Sequence, residues 1–200
     1  MFSLLPQRVS RRFTDPFVRR LDALGVTPNQ LTLLGALGNV AAAILAGRGD
    51  FLAAGLLVLF SSSLDLLDGA LARATNRATP FGSVFDAVLD RVSEGAVFFG
   101  LIVFFSGEDD RDNILLAAAA LAGSFLVSYV RARAEIIGVN VKEGLFTRAE
   151  RVIVLSLGLI VDQVTIALWI LALAANLTAA QRLYLVWRRA GDHPGPGHQT

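Results

Sequence analysis

The chain has 200 residues, of which 54% are hydrophobic and 18% charged, and its mean hydropathy is +0.58. Those values exclude an ordinary soluble domain, a disordered chain, a coiled coil and a collagen as descriptions of the whole, and point to a membrane protein. The absence of cysteine removes disulfides and thiolate metal sites, and a net charge of +1 marks no nucleic-acid partner while concealing an uneven spread of seventeen arginines and one lysine.

In residues 1–28, Phe2, Leu4, Leu5, Val9, Phe13, Phe17, Val18, Leu21 and Leu24 recur among arginines. That pattern predicts an amphipathic helix lying in the headgroup layer. Arg11, Arg12, Asp15, Arg19 and Arg20 interrupt any signal-peptide core, and Gly25, Pro28 and Asn29 end the helix and turn the chain into the membrane. Six apolar runs follow, at about 31–47, 51–72, 84–105, 114–129, 152–161 and 164–187. A hydrocarbon core of about 30 Å needs about 20 helical residues, so six crossings are expected, the fifth short unless it begins near Thr147. The predicted fold is an all-α integral membrane protein: one six-helix domain over 29–189, then a disordered cytoplasmic tail over 190–200 that holds both histidines.

With the N-terminus in the cytoplasm, sixteen of the eighteen cations fall on that side and only Arg48 and Arg111 on the other. This bias predicts a multi-pass protein of the cell membrane with both termini cytoplasmic. Glu108, Asp109, Asp110 and Asp112 then lie in an outer loop and read as solvated, without chemistry.

Four other carboxylates are out of place. Asp65 and Asp68 close the second apolar run and Asp86 and Asp90 open the third, so each pair shares a helix face. The short loop between the runs is expected to bring the two helices together as an antiparallel pair, so that four acids converge at the cytoplasmic edge. Unpaired, each would cost roughly 2.5–3.5 kcal/mol even on an insertion scale. Either Arg73, Arg77 and Arg91 supply the missing positive charge, or hard divalent cations do, and charge balance favours the cations, two of them being plausible. Gly69, Ala72 and Gly82 remove side-chain bulk where a ligand would approach backbone.

Read as one string, residues 65–90 run Asp65-x2-Asp68-Gly69-x2-Ala72-Arg73-x8-Gly82-x3-Asp86-x3-Asp90. This string resembles the motif of the CDP-alcohol phosphotransferases, integral-membrane enzymes of phospholipid synthesis, with every fixed position filled. The resemblance extends to six helices, cytoplasmic termini, the N-terminal helix and Pro28-Asn29-x2-Thr32. It implies that the hydroxyl of one alcohol attacks a CMP-activated lipid, that CMP leaves, and that no covalent enzyme intermediate forms. It further implies that Asp65, Asp68, Asp86 and Asp90 hold two Mg²⁺ ions, with Mn²⁺ an alternative, and that Asp90 is the catalytic base. Asp65, Asp68, Gly69, Ala72, Arg73, Gly82 and Asp86 would bind the CDP-lipid, and a homodimer is expected.

A basic group, Ser128, Arg131, Arg133, Arg148 and Arg151, occupies the cytoplasmic ends of the fourth and fifth runs. Topology or anionic lipid alone would explain such a cluster in a generic membrane protein, but beside an acid site it suits an acceptor that carries phosphate. The segments 90–97, 128–135 and 148–151 are similar to the family branch whose acceptor is inositol phosphate. That branch often has lysine at the position of Arg131, a change that keeps the charge. By this resemblance Ser128, Arg131, Arg148 and Arg151 bind inositol phosphate, and the donor is CDP-diacylglycerol or CDP-archaeol. The closest rival is a phosphatidylglycerophosphate synthase using glycerol 3-phosphate. An ion carrier with a four-aspartate site is the alternative of another class, and the acids' position at one interface argues against it.

Overall fold

The computed structural model describes residues 18, 20–75, 77–141, 144 and 146–191, and all regular structure among them is helical. Six helices follow in order: α1 Pro28–Gly47, α2 Phe51–Ala74, α3 Pro80–Gly107, α4 Arg111–Ile136, α5 Arg148–Ile160 and α6 Val164–Gly191. Their starts are written in the sequence. Pro28 and Pro80 occupy the first turns of α1 and α3, where a missing N–H costs nothing, behind the capping residues Thr27 and Thr79. Pro28 and Asn29 therefore open α1 rather than break a preceding helix, and the chain reverses at Gly25, whose φ is +72°. A Thr147–Glu150 capping box starts α5 at Arg148. The predicted N-terminal helix lies mostly outside the described residues. Its described end, 20–23, is helical, and Val18 packs on Leu31 and Leu71. Helix α6 runs on to Gly191, and the rest of the predicted tail also lies outside the described residues.

Each helix packs along two others, closing a ring in the order α1, α2, α5, α6, α4, α3. The expected direct pairing of α2 with α3 is not found: α1 packs against both, and the acid-bearing helices barely touch. Small residues explain the insertion. A Cβ at Gly35 would stand 2.7 Å from Asp65 Oδ1, and Gly100 of α3 faces the backbone carbonyl of Ala43, so α1 lies close against both neighbours. It also separates helices whose like charges would repel.

The interior is filled by Phe98, Leu101, Leu159, Leu168 and Leu171, all fully buried, with Ala42, Ala46, Ala54, Ala117 and Ala120 between them. Large apolar side chains also cover the outside, among them Leu33, Leu37, Phe60, Phe99, Leu115, Trp169 and Leu177. A bundle apolar both inside and out belongs in lipid. Four helices, α1, α2, α4 and α6, are long and apolar enough to cross a membrane. Helix α3 is 28 residues long but carries Asp86, Asp90, Arg91 and Glu94, and α5 has only 13 residues, about 20 Å of helix. The chain is a multi-pass membrane protein.

Candidate active site

The site lies at the end of the bundle where α2 finishes and α3 and α5 begin. The start of α1 supplies its first wall. Thr32, one turn into the helix, donates its hydroxyl to Asp68 Oδ2 at 2.6 Å, holding a carboxylate that is only 5% exposed. Asp65, one turn back along α2, accepts from Arg148 Nη2 at 2.8 Å. The same nitrogen lies 2.6 Å from Asp90 Oδ1 of α3. Arg91 Nη1 stands 3.5 Å from the other oxygen of Asp90 and donates to the Ala87 carbonyl at 2.8 Å. Across the gap left by α1, Asp65 and Asp86 lie within Coulombic reach of each other and of both Asp68 and Asp90.

Thus the positive charge among the acids comes chiefly from Arg148, far away in the chain. Of the three arginines weighed as an alternative to dications, only Arg91 takes part. Arg77 lies 3.6 Å from Asp22, and Arg73 curls over Gly69, with Nη1 3.2 Å from where a Cβ at that glycine would be.

Asp68, Gly69, Ala72, Arg73, Gly82 and Asp86 line one cleft of about 210 Å³, together with Asn29, Thr32, Arg77 and Ser83. Six of the seven residues expected to bind a nucleotide-linked lipid therefore share a wall, and Asp65 lies behind them toward Arg148. The glycines are needed for room: a Cβ at Gly82 would stand 3.0 Å from Thr79 Oγ1 and 3.3 Å from Asn29 Oδ1. An all-oxygen, anionic donor set suits a hard dication, and the guanidinium between Asp65 and Asp90 shows that this pair demands a cation. As they stand, no three acidic, histidine or cysteine side chains among the described residues gather closely enough to hold a metal ion. Asp68 is turned to Thr32, and Asp65 and Asp90 to Arg148, so gathering requires them to swing from these partners.

The basic group divides. Arg148 and Arg151 both reach the acid side. The Arg151 side chain is 3% exposed and donates from Nε and Nη2 to Glu94 at 2.8 and 3.3 Å. Arg131 instead points along α4 to Glu135, 3.0 Å away, and is half exposed, with Ser128 half-buried one turn before it. Two residues escaped the sequence reading. Glu94 lies four residues after Asp90, on the same helical face, which could have revealed it. Arg182, read only as a topology determinant, is 4% exposed and donates to the Val127 carbonyl at 2.8 Å; an arginine inside an apolar run was the available signal.

A family model described as CDP-alcohol phosphatidyltransferase matches residues 25–185. The chain belongs to that family. This phosphatidyltransferase is 37% identical over 191 residues to the phosphatidylinositol phosphate synthase of Mycobacterium marinum, covering 90% of this chain and 82% of the relative. It is 35% identical over 172 residues to the archaetidylinositol phosphate synthase of Pyrococcus horikoshii, covering 86% and 89% of the two chains. Among solved structures, the phosphatidylinositol phosphate synthase of Mycobacterium tuberculosis superposes with a TM-score of 0.80 when CDP-DAG is bound, at 35% identity over 94% of this chain and 98% of that one. The same enzyme in complex with manganese and citrate gives 0.82, at 35% identity, covering 94% and 92%. The protein is therefore an enzyme, a transferase of phospholipid synthesis, as the motif implied.

Proposed function

We propose that the enzyme transfers the phosphatidyl or archaetidyl group of CDP-diacylglycerol or CDP-archaeol to a hydroxyl of inositol phosphate. The new bond joins the inositol oxygen to the lipid-bearing phosphorus; the bond from that phosphorus to the bridging pyrophosphate oxygen breaks, and CMP leaves. Asp90 takes the proton of the attacking hydroxyl. Gly69, Ala72, Arg73 and Gly82 frame the nucleotide end of the donor, while Asp65, Asp68, Asp86 and Asp90 are the candidate holders of two Mg²⁺ or Mn²⁺ ions. Such ions, when bound, neutralise the pyrophosphate and the charge that develops as CMP departs. The manganese and CDP-DAG complexes of the mycobacterial relative support this reading.

The observation that carries the acceptor assignment is the meeting of Arg148 and Arg151 with the acid wall, since paired guanidinium groups beside a phosphoryl-transfer site suit an acceptor that brings its own phosphate. Ser128 and Arg131 complete the proposed acceptor site from α4. The relatives' names favour inositol phosphate over glycerol 3-phosphate. In membrane terms we read six crossings, because α3 lies between the spans α1 and α4 and α5 between α2 and α6. Both termini and the cleft then face the cytoplasm, where sixteen of eighteen cations fall, and the enzyme is expected to act as a homodimer.

The deciding experiment incubates purified enzyme with CDP-diacylglycerol, Mg²⁺ and labelled inositol phosphate or glycerol 3-phosphate. CMP release and labelled lipid are expected with inositol phosphate. Turnover with glycerol 3-phosphate alone would transfer the assignment to a phosphatidylglycerophosphate synthase.

A further inference from the structure

Arg148 and Arg151 stand three residues apart on one face of α5, yet they are held in opposite ways. Arg151 is locked. Its side chain is 3% exposed, two of its nitrogens engage Glu94, and Glu94 itself is 9% exposed, so leaving would strand two buried charges. Arg148 occupies the first turn of α5, its side chain is 31% exposed, and one nitrogen serves acids from two different helices, at 2.8 Å to Asp65 and 2.6 Å to Asp90. Those helices scarcely touch one another, so Arg148 ties α2 to α3.

Two demands on this arginine conflict. While it bridges Asp65 and Asp90 its charge is spent, and a phosphate dianion approaching it meets two carboxylates. Once a dication neutralises those carboxylates, the guanidinium is released and the repulsion disappears. We propose that Arg148 is an exchangeable counter-ion of the acid cluster: divalent cation displaces it from Asp65 and Asp90, and the displaced guanidinium then binds the phosphate monoester of the acceptor. Metal occupancy and acceptor binding are thereby linked, each strengthening the other by the same factor. Arg151, fixed by Glu94, is the static half of the acceptor site. The proposal rests on the acceptor assignment above for the identity of the anion, but its metal half stands independently.

The test uses the full chain in lipid nanodiscs without donor lipid. Mn²⁺ affinity is read by electron paramagnetic resonance, and binding of inorganic phosphate by calorimetry with and without Mg²⁺. Arg148→Gln removes the competing cation and is expected to tighten Mn²⁺ binding by about 5- to 150-fold, the usual span of such couplings. In the wild type Mg²⁺ should tighten phosphate binding by a factor in the same range, and in Arg148→Gln that enhancement should vanish. Arg151→Lys, the control, should weaken phosphate binding while leaving both the Mn²⁺ affinity and the Mg²⁺ enhancement. Should Arg148→Gln not fold, Arg148→Lys, whose shorter side chain reaches less far toward the two acids, should shift Mn²⁺ affinity in the same direction by less. Unchanged or weaker Mn²⁺ binding in the Arg148 variant, or a Mg²⁺ enhancement that survives in it, overturns the proposal. A wrong acceptor would instead appear as absent CMP release with inositol phosphate while the Mn²⁺ shift remained.

Discussion

The two ends of the helix ring are both rich in acids and are built to opposite purposes. At one end the chain reverses in three tight turns, 48–50, 108–110 and 161–163, each with a left-handed residue: Gly49 at φ +84°, Asp109 at +55° and Asp162 at +57°. Glu108 and Asp109 there are exposed, and Asp110 caps α4. At the other end the connections are longer, 75–79 and 137–147, and Asp65, Asp68 and Asp90 are sunk between helices against Thr32 and Arg148. A count of carboxylates therefore does not mark a site. What marks it is burial between helices, where Asp65, Asp68 and Asp90 each take a specific partner, and a partnered acid can be offered a better one.

Neutralising one acid at each end should separate the two ends most strongly. Asp90→Asn is nearly isosteric and removes the proposed base, so CMP release should fall by about 10²- to 10⁴-fold while gel filtration and thermal unfolding still report a folded protein. Asp109→Asn should leave the rate unchanged, because asparagine is at home in the left-handed backbone at that position. Equal losses from both would mean that the turn end also takes part in catalysis.

A second substitution separates packing from chemistry within the site end. Glu94→Gln strips the carboxylate from a pair whose side chains are 9% and 3% exposed, leaving the Arg151 charge buried without its counter-charge. The cost expected for breaking such a pair is about 3 kcal/mol, seen as a clear fall in melting temperature. Arg48→Gln, at the exposed turn of the other end, should stay within about 0.5 kcal/mol of the wild type. If Glu94→Gln melts with the wild type, the ion pair contributes nothing and Arg151 is not fixed by it.

Much of this architecture could be read along the chain and some of it only across it. Pro28, Pro80 and Thr147 announce helix starts by local chemistry, and the Asp65 to Asp90 spacing puts carboxylates on helix faces by geometry alone. Sequence proximity offers Arg73, Arg77 and Arg91 as the protein's own counter-charge to those carboxylates, beside the dications that charge balance favours. The dominant one, Arg148, lies 83 residues from Asp65, and nothing in a linear pattern reports such a contact. The separation of α2 from α3 was hidden for a related reason. Gly35 and Gly100 read as ordinary small residues in apolar runs, and their effect, letting α1 slide between the acid helices, appears only when three helices are packed at once. Arg131 shows the converse: its charge places it with the cluster, and only the structure shows its present partner, Glu135, one turn along α4.

The smallest expected effect tests the turn end in its own terms. Asp110 accepts from the Asn113 backbone N–H at 3.1 Å and from its side-chain amide at 2.7 Å, and that amide also donates to Thr165 of α6. The hydrogen bonds from Asn113, the backbone one foremost, hold the Asp110 carboxyl below the usual carboxylate range. Because the folded value is the lower one, this cap stabilises the protein fully above the unfolded carboxyl pKa and is lost as the pH falls through the folded one. Asp110→Ala should therefore melt slightly below the wild type at neutral pH, by less than Glu94→Gln. The gap between the two proteins should close as the buffer is made acidic enough to protonate the wild-type cap. A gap that persists into strong acid, or none at neutral pH, would show that α4 is anchored without this carboxylate, and that its acid, like its neighbours in the turn, is only solvated.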